Sequence, residues 1–170
     1  MLKLVTPKLA TADVCDAIGS SAAVLPVDFE NFGGRIDFAG PAATIKTLDD
    51  NSKVKEILAT GGEGRVLVVD GGGSDRTALM GGNLAVLAAK NGWAGALIYG
   101  RVRDKHEMQR EDIGIKALGC CPRKPEQLNQ GEINCEVAFG GITIHPGDWV
   151  IADADGVVIT RELPSLEDDE

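Results

Sequence analysis

Between residues 65 and 99 the chain reads as strand, helix, strand, and this run restricts the fold more than anything else in it. Arg65-Val-Leu-Val-Val69 is a continuous apolar, β-branched stretch, the pattern of a strand buried on both faces. Asp70-Gly71-Gly72-Gly73-Ser74 ends it abruptly. Leu84, Leu87 and Ala88 then recur at helical spacing up to a stop at Asn91-Gly92. Ala94 to Tyr99 is a second apolar strand, and Gly100 is expected to open the loop after it. Two strands joined by a helix at these lengths make a βαβ unit with a right-handed crossover. Such a unit brings Asp70, Gly81–Leu84 and Arg103-Asp104 towards one end of a sheet, where the sites of α/β folds gather.

The flanks add a helix and antiparallel strands. A first helix is expected over Ala12 to Ile18, with Thr11 as its cap and Gly19 beyond its end. Residues 20–41, with Phe29, Phe32 and Phe38 among glycine and proline, read as irregular. Ala42 to Leu48 alternates as a strand, and Asp50 or Asn51 caps a short helix carrying Val54, Ile57 and Leu58 on one face. A short helix near Lys105–Arg110 leads to a strand over Ile113 to Leu118. Two hairpins close the chain: Ile133 to Phe139 with Ile142 to Ile144 about Gly140-Gly141, and Trp149 to Ala152 with Val157 to Thr160 about Asp153–Gly156. The expectation is one mixed α/β domain over residues 1–170, with a central βαβ unit, C-terminal hairpins, a core over about 11–160 and an acidic tail at 165–170.

Charge and cysteine usage narrow the function classes. The net charge is −9, and no cluster of Lys and Arg is present to grip a nucleic-acid backbone, so direct RNA or DNA binding is disfavoured. Glu167-Asp168-Asp169-Glu170 reads as a solvated end. Cys15, Cys120, Cys121 and Cys135 have neither a zinc spacing nor the pattern of a secreted disulfide frame. Cys120-Cys121 is read as two buried thiols near a strand end rather than a redox pair. No apolar stretch reaches the length of a membrane span, and Lys3 and Lys8 interrupt any signal-like run, so the cytosol is the expected compartment.

The chemistry concentrates in Gly81-Gly82-Asn83-Leu84 and Arg103-Asp104-x-x-Glu107, with twenty residues between Gly82 and Arg103. The glycines lie where the chain leaves a loop and starts a helix, with amides free to bind an anion. Arg103 is a fixed cation with a planar fork of donors, suited to a carboxylate or a developing oxyanion. Asp104 and Glu107 are hard oxygen donors of the kind magnesium or manganese prefers. Taken alone, an Arg-Asp-x-x-Glu run is common on solvated helix starts, where acids favour the dipole, and is read as that before it is read as a site. Asp70 has two open readings, a cap for the glycine turn or a site residue. Gly71–Gly73 lacks both the P-loop and the dinucleotide pattern and reads as a turn. His106 is expected to face water and His145, before Pro146-Gly147, to be structural; Trp93 and Trp149 read as core or interface residues.

Several segments together resemble the RraA-like family: Asn31–Arg35, Phe38–Pro41, Arg65–Ser74, Gly92–Gly95, Asp112–Ala117 and Ala152–Gly156. That family contains the regulator of ribonuclease activity A and the 4-hydroxy-4-methyl-2-oxoglutarate aldolases. The resemblance runs from about Thr11 to about Thr160. It implies a swivelling β/β/α-type fold and a homotrimeric ring, alone or paired into a hexamer, with sites near subunit boundaries. An older menaquinone-biosynthesis methyltransferase label exists in the family, and no glycine-rich nucleotide motif here supports it.

Aldolase members resemble a pattern of an acid, twenty residues and then Arg-Asp. Here Arg103-Asp104 is intact, but the acid's position is Gly82. A family variant has glycine there and an extra acid after the pair, which Glu107 fits. The resemblance implies a small 2-oxo acid substrate, with Asp104 binding a divalent magnesium or manganese ion and Arg103 contacting the carbonyl or enolate oxygen. Gly81, Gly82, Asn83 and Leu84 would hold the substrate carboxylate. Glu107 would orient a metal-bound water that takes the proton of the 4-hydroxyl group. A Schiff-base lysine is the alternative for holding the enolate, but no lysine is marked out by an apolar setting. The same enolate would form on decarboxylating oxaloacetate. The other reading is a non-catalytic regulator that binds ribonuclease E, its acidic surface facing a basic RNA-binding region.

Overall fold

The computed structural model describes residues 8–166, so Lys3 and the acidic run 167–170 lie outside the described residues. In chain order the elements are α1 (Thr11–Ile18), β1 (Ala23–Val24), β2 (Glu30–Asn31), β3 (Phe38–Lys46), α2 (Ser52–Leu58), β4 (Val66–Asp70), β5 (Ala78–Met80), α3 (Gly82–Lys90), β6 (Gly95–Val102), α4 (Lys105–Met108), β7 (Gly114–Cys120), β8 (Glu132–Ile133), β9 (Val137–Phe139), β10 (Ile142–Ile144), β11 (Trp149–Asp153) and β12 (Gly156–Thr160). A three-residue 3-10 turn, Gly19–Ser21, follows α1.

The βαβ expectation holds and extends. β3, β4, β6 and β7 are parallel neighbours, with α2, α3 and α4 in the successive connections. Alternate residues of β4 face opposite ways, as the unbroken apolar run required. Leu67 and Val69 pack with Ile57, Leu58, Ala85 and Ala88 of the helical layer. Val66 and Val68 pack with Val150, Ala152, Val157 and Ile159 of a second β layer. β3 joins the layers: Phe38–Pro41 pair antiparallel with β11, whereas Ala42–Lys46 pair parallel with β4. On the far side of β11 and β12, Ile151 and Val158 meet Leu9 and Val14 of the N-terminal segment. The result is the mixed α/β architecture expected of an RraA-like fold.

Several local expectations are corrected. Thr11 does not cap α1; it lies in the first turn and donates from its backbone N–H and from Oγ1 to the Asp153 carboxylate, both at 2.8 Å. β6 runs on through Gly100 to Val102 instead of ending at Tyr99. Its register against β7 shifts between Ile98 and Arg101, so Gly100 marks a bulge rather than a strand end. β5 was not anticipated; its apolar residues are too few to show a period, and pairing with the end of β6 creates it. The strand expected over 133–139 is two, because Glu132–Ile133 pair with β3 and Val137–Phe139 with β10. The region 20–41 is largely irregular and buries its aromatics: Phe32 is fully buried, and Phe38 lies over Gly95 and Gly114. Cys120 is exposed and Cys121 half-buried, not a buried pair, since they fall where β7 leaves the sheet.

Candidate functional site

Gly81 and Gly82 lie where β5 ends and α3 begins, and the residues facing them explain why neither has a side chain. A Cβ on Gly81 would stand 2.8 Å from Asp104 Oδ2. A Cβ on Gly82 would collide with Glu107 Oε2 and stand 3.0 Å from the Glu107 Cβ. The two halves of the motif, separated by α3 and β6, therefore meet. The Gly82 N–H donates to Asp104 Oδ2 at 2.9 Å, so this first helix amide is already engaged by a carboxylate.

The loop after β6 aims these groups. Arg103 N–H donates to Met80 C=O at 3.0 Å, tying the loop to β5. Asp104 adopts the left-handed conformation, φ 62° and ψ 46°, which aspartate tolerates better than most residues. That turn starts α4, in which Met108 N–H donates to Asp104 C=O and Glu107 lies one turn on. Among the described residues, Arg103 Nη1 reaches only Pro122 C=O, at 3.4 Å. Among the described residues neither Arg103, Asp104 nor Glu107 belongs to an ion pair.

A cleft of about 210 Å³ opens here. Gly81, Asn83, Leu84, Arg103 and Asp104 line one part of it. Gly82 and Glu107 adjoin it without lining it. The remaining wall was not anticipated: Asn51, Lys55, Ala78, Lys124, Pro125 and Gln127. Asn51 occupies the N-cap position of α2 without a side-chain cap hydrogen bond, and the Asp50 carboxylate takes the Ser52 N–H instead, at 2.8 Å. Nothing in the spacing of Lys55 or Lys124 could have placed them here, because a loop packed against α2 brings them in.

Asp104 suits a hard divalent ion, since among the described residues its carboxylate has a single hydrogen bond, from Gly82, and oxygen is the donor that magnesium and manganese prefer. No three His, Cys, Asp or Glu side chains converge as a metal cage among the described residues. An ion held by one carboxylate and completed by water and substrate oxygens is the ordinary arrangement for magnesium. The other candidates fall away from the cleft. Asp70 Oδ1 accepts from the Gly72 N–H at 3.0 Å and so caps the glycine turn, where Gly72 and Gly73 both have positive φ. His106 is exposed, and His145 bonds to Asp148 within its own turn. Trp93 is buried, its Nε1–H donating to Thr60 C=O.

No helix among the described residues is long and apolar enough to cross a membrane. Residues 11–159 match a family model described as RraA-like, Aldolase/RraA. A protein of Alkalilimnicola ehrlichii named "Putative 4-hydroxy-4-methyl-2-oxoglutarate aldolase" is 52% identical over 151 residues, covering 89% of this chain and 94% of its own length. A Pseudomonas fluorescens protein of the same name is 49% identical, over 88% of this chain and 92% of its own. Among solved structures, the RNA-processing inhibitor RraA from Thermus thermophilis superposes with a TM-score of 0.89 at 41% identity, over 92% of this chain and 95% of that one. An S-adenosylmethionine:2-dimethylmenaquinone methyltransferase from Geobacillus kaustophilus gives a TM-score of 0.91 at 41% identity, over 94% of this chain and 99% of that one.

Proposed function

The chain belongs to the RraA-like family, and on that premise we propose that it is a divalent-metal-dependent lyase. Its substrate would be 4-hydroxy-4-methyl-2-oxoglutarate or a close 4-carboxy-4-hydroxy-2-oxoadipate-like acid, cleaved to pyruvate, with oxaloacetate decarboxylation as a side reaction. One observation carries this reading: the Glu107 carboxylate occupies the space that a side chain at position 82 would fill, beside Asp104. In this reading Glu107, from the second half of the motif, supplies the acid missing from the first half. The cleft volume fits too, because about 210 Å³ is small against the roughly 300–1,000 Å³ of pockets for drug-sized ligands. It favours a small acid over a nucleoside methyl donor.

In this reading the C3–C4 bond of the substrate breaks, its electron pair forms the enolate of pyruvate, and C4 becomes a carbonyl. A divalent ion held by Asp104 would supply Lewis-acid stabilisation of the developing enolate. The free first-turn amides of Asn83 and Leu84 would receive the substrate carboxylate. Arg103, which has no carboxylate partner among the described residues, would donate to the 2-oxo oxygen as negative charge grows on it. Glu107 Oε2 would accept the 4-hydroxyl proton, directly or through one water, and return it to the enolate carbon.

The test is pyruvate release from 4-hydroxy-4-methyl-2-oxoglutarate and from oxaloacetate with magnesium or manganese, with a chelator, and with Asp104→Ala. Release should need the metal and fall about a hundredfold to a thousandfold in the variant, the usual effect of losing a preorganised charge. Unchanged metal-dependent turnover in Asp104→Ala would sink the assignment.

The likeness to the Thermus RNA-processing inhibitor, together with a net charge of −9, supports a second reading as a protein regulator that binds ribonuclease E. The two readings are compatible, since the cleft and an acidic outer surface need not overlap. A pull-down with a ribonuclease E-type enzyme tests it, and recovery of no complex at low salt counts against it. Assembly into a homotrimer belongs to this proposal and is read from light scattering.

A further inference from the structure

Asp49 stands in the bend between β3 and α2, does not line the cleft, and has a left-handed backbone at φ 51°. Its half-buried carboxylate gathers three residues of the connection between β4 and β5. Oδ1 accepts from Ser74 Oγ–H at 2.6 Å and from Thr77 Oγ1–H at 2.9 Å. Oδ2 accepts from Arg76 Nε–H at 2.8 Å and lies 2.7 Å from Arg76 Nη2. Burial alone would push the Asp49 carboxyl up, but these donors outweigh it and hold the group below the usual carboxylate range. Asp49 is itself anchored, since its C=O accepts from Glu126 N–H at 3.0 Å.

The connection that Asp49 holds has little else to fix it. It starts with Gly71–Gly73, the residue type with the most backbone freedom to lose, secured by the Gly71 and Gly73 N–H groups donating to Tyr99 C=O. It ends in β5, which has three residues, pairs with β6 alone among the described residues, and does so with a shifted register. A strand this short contributes few hydrogen bonds of its own, so its position follows from what holds its ends. Yet β5 carries one side of the site: Ala78 lines the cleft, Met80 C=O takes the Arg103 N–H, and Gly81 is the N-cap of α3. Thr77, 8% exposed, is the residue before β5 and passes the hold of Asp49 into it.

We infer that Asp49 is a positioning residue: acting through Thr77 and β5, it sets the first-turn amides of α3 that receive the substrate carboxylate. This rests on the reading of the cleft as a 2-oxo acid site. Asp49 touches neither substrate nor metal; its effect is on where the Asn83 and Leu84 amides point. Asp104 and Glu107 come from the loop and helix after β6, so the bond-breaking groups depend on this hold less than the carboxylate site does.

Hydrogen exchange over residues 77–84, and calorimetry of pyruvate binding with manganese present, test this in Asp49→Asn and Thr77→Val. Asparagine suits the left-handed backbone but offers Arg76 a donor in place of an acceptor. Valine replaces only the hydroxyl that reaches Asp49. In both variants residues 77–84 should exchange faster while β4 exchanges as in the wild type, and pyruvate should bind about tenfold more weakly. With 4-hydroxy-4-methyl-2-oxoglutarate the loss should fall on KM and leave kcat nearly unchanged. Glu56→Gln, in an exposed pair outside the network, should match the wild type throughout. Wild-type affinity in both variants, faster exchange in β4 as well, a loss carried by kcat, or no pyruvate binding by the wild-type protein would each overturn the inference. Weaker pyruvate binding in both variants of a protein that releases no pyruvate would leave the positioning role standing and remove the aldolase. Release by the wild type with unchanged binding in the variants would do the reverse.

Discussion

At the scale of single residues, Gly82 and Glu107 are one decision made at two positions. An aspartate at 82 beside the native Glu107 would press two carboxylates into space sized for one. Gly82→Asp should therefore destabilise the protein by about 1–3 kcal/mol and depress pyruvate release. Adding Glu107→Ala should recover stability and part of the activity, so that the pair deviates from additivity in a double-mutant cycle read by urea denaturation and turnover. Additive losses would mean that the two side chains do not share the site. Asp104 carries a further lesson for variants. Its left-handed backbone costs an alanine more than an aspartate or asparagine, so Asp104→Asn separates loss of charge from loss of the turn. The glycines and the Arg-Asp-x-x-Glu run were legible because each residue type is chemically unusual where it stands. Asn51 and Lys124 were not, since an amide and a lysine in polar segments look like solvated surface until the start of α2 and the loop after Lys124, far apart in sequence, pack together.

At the scale of elements, Asp50 fastens α2 to the loop at 124–130. Burial alone would push its carboxyl up, but hydrogen bonds from Ser52, Leu128 and Gln130 outweigh this and hold it below the usual carboxylate range. A depressed pKa means that the unfolded chain binds the proton first as pH falls. The stability from Asp50 is thus present above the unfolded value of about 3.9 and is lost as pH drops through the lower folded value. Asp50→Ala should cost about 2 kcal/mol at pH 7, because three donors lose their acceptor. The difference between variant and wild type in urea midpoints should shrink as pH falls below about 4. A constant difference across that range would assign the effect to packing instead. β4, α3 and the last hairpin were readable from apolar period and turn glycines. β5 and the split at 134–136 were not, because both are fixed by which partner strand is near and not by local pattern.

At the scale of the whole molecule, the parallel sheet was visible as buried apolar runs, whereas the second β layer was only a pair of hairpins with no stated place. The reason is that β3 belongs to both layers, and a nine-residue strand does not reveal that its two halves take different partners. This dual membership bears on the order in which the chain can assemble. Residues 42–46 find their partners at 66–70, a short search, whereas residues 38–41 must wait for 149–152. Closing such a distant contact is slow relative to local pairing. On the ribosome, the strands around the cleft can therefore dock while the other half of β3 stays unpaired, a sticky edge exposed until synthesis has passed residue 160. Pulse-labelled hydrogen exchange during refolding should protect the amides of β4 and β6 before those of β11 and β12; simultaneous protection would mean that the two layers form as one nucleus. The candidate cleft would then be older, in the life of each molecule, than the layer that seals the core behind it.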